Sequence, residues 1–453
     1  MRARPITIGL LSLLIIITIG FAPTRSVLSS SQDSPAFVFT IAKQYDPLAW
    51  VRGADRFSSD AAIFLQDASG MHPLIPGFAA SADPAVSFDG KNALFAGKKR
   101  NQDPWQIWEV AATGGEPRRI TSCTEDCVRP LYLPEDRVVY AKKTGGRFVI
   151  EAIDAEDGKA VQLTYGPGNS LPTDVLRDGR ILFESSYPLG TNGAPELYAV
   201  YSDGSGVESY RCDHGKARHS GKQVASGDIV FTSSSGLGRF TSALAHEIRI
   251  PAPTGEYAGE IAEASSGDWL VSWRRGQNPF QLMWWKPGAV ALRPAVVESN
   301  ANVVQPALVM ERTVPKRHPS GLHDWPNANL LCLNAYTSKY KFAAGTIRSV
   351  RIYTRNNAGA IKLLGTAPVE LDGSFFVQVP TEQPLQIELL DRSGKTLKRQ
   401  AGWFWMRRGE QRACVGCHAG PETAPENVVP MILLKSTTPA DMTGVVRSAA
   451  GGQ

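Results

Sequence analysis

The sequence predicts a mainly β protein: an N-terminal β-propeller of about six blades, then a small β-sandwich that carries a Cys-x-x-Cys-His segment. Three observations predict it. A chain of 453 residues with 42 Gly and 31 Pro, but only 20% charged residues, suits turn-rich sheets rather than helical bundles. An Asp/Gly turn followed by an apolar strand recurs through the first two thirds at steps of 40–48 residues. After Val309 that repeat stops and another strand pattern begins.

Residues 1–35 come first. "MRARP" carries two arginines, and Ile6 to Ala22 then run 17 residues without a charge. A positive end followed by an apolar run is the pattern of a Sec export signal or of an N-terminal membrane anchor. The mature chain is therefore expected in the periplasm or another extracytoplasmic space, either free or membrane-anchored.

Residues 36–309 read as the propeller. The turn-and-strand units are "SFDGKNALFAGKK" at Gly90, "LPEDRVVYAKK" at Asp136, "LRDGRILFESS" at Gly179, "ASGDIVFTSSS" at Gly227 and "SSGDWLVSWRR" at Gly267, spaced 46, 43, 48 and 40 residues apart. Early units continue into a second hairpin, as in "QIWEVAATGGEPRRIT". The copy at Ala62, "AIFLQDASGMHPLIPG", holds only this second half. A unit of several strands cannot bury both faces alone, so the units must stack side by side.

Residues 310–413 open with a Pro-rich linker, "ERTVPKRHPSGLHDWPN", and return to alternating strands such as "SFFVQVP" and "LQIELL". Turns at Asp372-Gly373 and Ser393-Gly394 between them argue for a small antiparallel sandwich. Residues 414–435 hold the attachment segment, and residues 436–453 read as a disordered tail.

The segment Cys414-Val415-Gly416-Cys417-His418 carries the chemistry. A thioredoxin-type dithiol needs a βαβ setting, which is absent here. A structural zinc site needs a second Cys/His pair at similar spacing, and none is near. A Cys414–Cys417 disulfide leaves His418 without a role. Covalent haem c uses all three residues: the thiols add to the vinyl groups, and the adjacent imidazole reaches the iron. One haem c is therefore expected, bound by Cys414 and Cys417, with His418 as axial ligand. The sixth ligand is open. Met431 is the nearest downstream methionine, with Met406, Met442 and His323 as other choices, or the position stays vacant. Trp403, Phe404 and Trp405 are expected as the apolar wall of the haem, or as plain sandwich core.

Two resemblances follow from these residues. The turn and its close, "S-x-D-G-x-x-x-x-F" and "G-G-x-x-x-x-L-T", are similar to the TolB-like propeller repeat, best between Ser87 and Thr121. "RHPSG" at Arg317, "GTAPVELDGSFFVQVPTEQPLQIELLDRSGKTL" at Gly365, "WFWMRRGEQRACVGCH" at Trp403 and "PENVVP" at Pro425 resemble the hydrazine synthase alpha subunit and its relatives. That resemblance implies a six-bladed TolB-like propeller joined to a haem-c-bearing domain. It does not imply hydrazine synthesis: that alpha chain carries two haems, whereas this one has a single CxxCH, and no Tyr follows Tyr353 to match the family's tyrosine haem ligand. A relative sharing the scaffold is expected rather than hydrazine synthase itself.

Cys123 and Cys127 read as a local disulfide, because no histidine is near. "RCDHGKARH" groups Cys212, Asp213, His214 and His219 either as metal ligands or haem-facing groups, or as a polar blade connection. Glu410 and Arg412 are expected to pair with haem propionates or with each other. A net charge of +5 without a Lys/Arg run argues against nucleic acid. No Ser-His-Asp arrangement, phosphate loop, dinucleotide fingerprint or EF-hand spacing is visible. The expected function is an exported mono-haem cytochrome passing electrons to a redox protein partner, with the propeller as docking surface. The alternatives are a haem-dependent oxidoreductase acting on small nitrogen or oxygen species, and a binding module with a structural haem.

Overall fold

The computed structural model describes residues 35–154, 158–186, 194–211, 214–243, 245–298, 300–338, 340–416 and 426–444. The expected export signal or anchor, together with Cys212, Asp213, Cys417 and His418, lies outside the described residues. No helix among the described residues is long and apolar enough to cross a membrane.

The repeat resolves into six four-stranded antiparallel sheets arranged as blades. Its sequence anchors are the turns between the first two strands of a blade, such as Ala80–Val86 and Asn92–Lys98. Gly90, Gly179, Gly227 and Gly267 have φ of 75°, 88°, 94° and 79°, and Asp136 has 53°. Glycine recurs there because the left-handed turn excludes most side chains. The half-copy at Ala62 lacks this turn because its blade is closed from the far end of the domain. Asn302–Leu308 pairs antiparallel with Phe37–Ala42 and supplies the innermost strand of the first blade. That pairing ties the ring shut.

Each innermost strand carries a register shift, a bulge that turns a polar residue inward. Asp83, Arg129, Ser220 and Gln305 sit at such bulges with φ between 53° and 59°. The axial channel is consequently polar. One end is plugged by residues 43–61, whose Trp50 and Phe57 pack on Trp105. From this plug Arg56 reaches Glu260 at 2.5 Å, and Arg129 meets the same carboxylate at 2.7 Å. Burial alone would raise the Glu260 pKa, but these two guanidiniums bring it down to about 2.

The linker after the propeller runs back across the blades. Lys316 N–H donates to Arg177 O, Arg317 pairs with Glu135 at 2.9 Å, and His318 stacks on Tyr201 at 3.7 Å. A Cβ on Gly179 would lie 2.2 Å from Lys316 O, so two constraints, turn and linker, meet at that glycine.

The C-terminal part of the chain is a sandwich of two four-stranded sheets. One orders Ile361–Pro368, Ser349–Arg355, Leu385–Leu390 and Thr396–Arg399, all antiparallel. The other departs from the antiparallel expectation at both edges: Gln411–Cys414 pairs parallel with Ala328–Cys332, and Ala440–Asp441 parallel with Phe375–Val379. Each edge strand arrives by a long excursion rather than a hairpin, which permits parallel pairing. The tail expectation is corrected in part. Residues 436–444 add that edge strand and bury Met442 to 2% exposure, because an apolar side chain finds space in the sandwich core.

Candidate functional site

Cys414 ends the edge strand Gln411–Cys414, with Cys332 as its register partner on the neighbouring strand. The backbone then turns tightly. A Cβ on Gly416 would lie 2.1 Å from Thr337 O, so the second residue between the motif cysteines must be glycine for the chain to lie this close.

Cys414 opens onto a cavity of about 820 Å³. One wall is the sandwich, with Leu330, Phe342, Phe375 and Leu389. The other is the fourth blade, which contributes Tyr198, Tyr201, Glu208 and His214. Arg180 is held over this blade by Glu208 at 2.5 Å and Asp178 at 2.7 Å. Burial pushes the Glu208 carboxyl up, against the pull of Arg180 and Arg412. Lys398 lines the sandwich side, with Nζ 4.0 Å from the Tyr340 ring centroid.

The aromatic run before the motif divides its labour. Trp403 and Phe404 line the cavity. Trp405 instead enters the propeller, donating from Nε1 to Gly204 O at 3.3 Å and packing on Phe183. Glu410 and Arg412 pair with each other, at 2.6 and 2.8 Å. Glu410, 6% exposed, also accepts from Gly206 N–H at 3.1 Å and from Arg407 N–H at 2.8 Å. This pair joins sandwich to blade, and both residues also line the cavity.

The expected sixth ligands fall elsewhere. Met431 begins the short helix Met431–Lys435, anchored by its N–H to Asp372, and does not line the cavity. Met406 is fully buried in the core, Met442 packs on Gly365, and His323 is exposed and stacked on Trp325. "RCDHGKARH" is split: His214 lines the cavity, whereas His219 is buried on an innermost strand, its Nδ1 3.1 Å from Ser220 Oγ. Cys123 and Cys127 form the expected disulfide. Among the described residues no group of three or more His, Cys, Asp or Glu side chains is arranged to hold a metal ion. Sequence reasoning missed the blade's contribution, above all Glu196. Its one local signal is an acidic residue heading the apolar strand Glu196–Val200, buried to 4% exposure.

Residues 335–419 match the family described as the hydrazine synthase alpha subunit middle domain, a span that includes the Cys414 strand. Hydrazine synthase of Kuenenia stuttgartiensis superimposes with a TM-score of 0.76 over 88% of this chain and 71% of that one, at 17% identity. This chain is hydrazine synthase alpha-like. The likeness covers the joint arrangement of propeller and sandwich, and at this identity it speaks to the fold. The chain is also 27% identical over 201 residues to the uncharacterized peptidase YuxL of Bacillus subtilis, covering 42% of this chain. It spans 29% of that relative's length. TolB of Acinetobacter baumannii overlaps more weakly, at 14% identity and a TM-score of 0.46 over 63% of this chain and 68% of that one.

Proposed function

We propose that this protein is an exported mono-haem c-type cytochrome that transfers electrons to a redox protein partner. The observation that carries the reading is that the first cysteine of its CxxCH motif lines a cavity of about 820 Å³ between sandwich and propeller. That volume lies within the roughly 300–1,000 Å³ typical of cofactor sites. The donor set fits haem: a cysteine at the rim, aromatic rings at Trp403, Phe404 and Phe342 for the macrocycle, and cations at Lys398 and Arg180 for carboxylates.

Cys414 and Cys417 would hold the group through their thiols, and the His418 imidazole would bind its iron. When bound, haem supplies a one-electron couple. The chain's own part is to anchor, orient and exclude water. Phe375, Leu330 and Leu389 keep one wall apolar, and the Glu410–Arg412 pair fixes the strand bearing Cys414 against the fourth blade. Export is supported by the Cys123–Cys127 disulfide, which suits an oxidising compartment, and by the apolar N-terminal run, as a cleaved signal or an anchor.

The test is visible spectroscopy of the exported protein, oxidised and reduced, with and without carbon monoxide. Electron transfer requires a covalent c-type band and a low-spin iron indifferent to carbon monoxide. A protein lacking that band, or a Cys414→Ala/Cys417→Ala variant with the wild-type spectrum, removes the haem reading. An iron that takes up carbon monoxide redirects it to a haem oxidoreductase.

A further inference from the structure

We infer that His214 is the second axial ligand of the haem iron, on the side of the cavity formed by the fourth blade. This rests on the haem reading above and completes it. The sequence points to Met431, or else to Met406, Met442 or His323, yet all four lie off the cavity. Among the described residues, His214 and His318 are the imidazoles that line it.

The two differ in how they are held. His318 lies flat on Tyr201, 3.7 Å between centroids and 16° between planes, on the linker that crosses the blades. Its ring face is committed to that stack. His214 is held edge-on by a buried carboxylate. Its Nδ1 lies 2.6 Å from Glu196 Oε2, while Gly215 N–H donates to Glu196 Oε1 at 2.6 Å. The Glu196 side chain is 5% exposed and that of His214 14%.

A carboxylate on Nδ1 places the ring proton there and leaves the Nε2 lone pair available. This is the arrangement in which a protein presents an imidazole to a metal. The opposite ring edge lies against Gly402, where a glycine leaves it room. A Cβ on Gly402 would come 3.2 Å from Cε1 and 3.5 Å from Nε2 of His214, and Gly402 itself lines the cavity. Glu196 thus acts as a positioning residue through His214. An iron with imidazole on both sides is six-coordinate and low-spin, which suits electron transfer and closes the iron to small molecules.

The experiment uses the full-length exported holoprotein. A pyridine haemochrome assay first measures covalent haem per chain; its failure removes the haem reading rather than this assignment. Electron paramagnetic resonance and visible spectra are then compared for wild type, His214→Ala and His318→Ala. The expected result is a low-spin wild type, unchanged in His318→Ala. His214→Ala should keep its haem but become largely high-spin and bind carbon monoxide, and added imidazole should restore the low-spin spectrum. Should His214→Ala fail to fold, near-infrared magnetic circular dichroism of the wild type still decides, because nitrogen–nitrogen and nitrogen–sulfur axial pairs differ there. A nitrogen–sulfur pair, a high-spin wild type, or an unchanged His214→Ala spectrum would each overturn the assignment.

Discussion

At single positions, two glycines and a carboxylate show how much one side chain decides. Gly179 serves the blade turn with its φ of 88° and serves the linker by leaving room for Lys316 O. Gly416 does the same for the attachment segment against Thr337 O. Gly416→Ala must displace a backbone carbonyl, a change that costs about 1–3 kcal/mol. The expected outcome is a lower unfolding midpoint and a severalfold drop in haem per chain, read by denaturation and by the haem absorbance of the purified protein. Glu410 is satisfied by Arg412 and by two backbone N–H groups. Glu410→Ala leaves the part-buried Arg412 guanidinium without its carboxylate, and losing one member of a buried pair costs about 3–5 kcal/mol. Chemical denaturation should show that loss, with Glu410→Gln intermediate.

At the level of strands, closure and connection matter more than propensity. The first blade borrows Asn302–Leu308 from the end of the propeller, so a strand with ordinary alternation becomes the clasp of the ring. The cysteine-bearing strand is an edge strand in parallel register, placed by the excursion of residues 400–410 into the propeller. The Cys123–Cys127 disulfide closes a loop with a sequence separation of 4 before the innermost strand Cys127–Leu133. Chain-entropy reasoning for so short a loop gives about 2 kcal/mol. Cys123→Ser/Cys127→Ser should therefore lower stability by that order in urea titration while leaving the covalent haem content unchanged.

Over the whole molecule, propeller and sandwich share one apolar core: Phe183, Leu163 and Tyr198 of the blades cluster with Phe404, Trp405 and Met406. The axial channel adds a pH dependence. Burial lowers the His219 pKa from 6.5 to about 4, so the unfolded chain binds the proton more readily between those values. Stability from this group is full above pH 6.5 and falls as pH drops towards 4. At 1.36 kcal/mol per unit the loss is roughly 3 kcal/mol. Glu260, ordinarily near 4.5 and held at about 2, adds stability above 4.5 that is lost towards 2. Both slopes run the same way. Urea denaturation at several pH values should show falling stability below pH 6.5 in wild type, and His219→Asn should flatten the curve between 6.5 and 4.

The repeat at Gly90, Asp136, Gly179, Gly227 and Gly267 was readable because a left-handed turn restricts residue choice locally. The same holds for the Cys123–Cys127 disulfide, whose partners are near neighbours. The attachment motif is legible as a local pattern, as is the strand alternation of "SFFVQVP". Other features were beyond such reading. The clasp strand, the parallel edges and the buried tail strand join segments far apart in the chain. The cavity depends most on this distance: Cys414 shares it with His214 only because Trp405, Arg407 and Glu410 dock the sandwich on the third and fourth blades. Local chemistry named the residues able to hold a cofactor, while long-range packing chose which of them face one another.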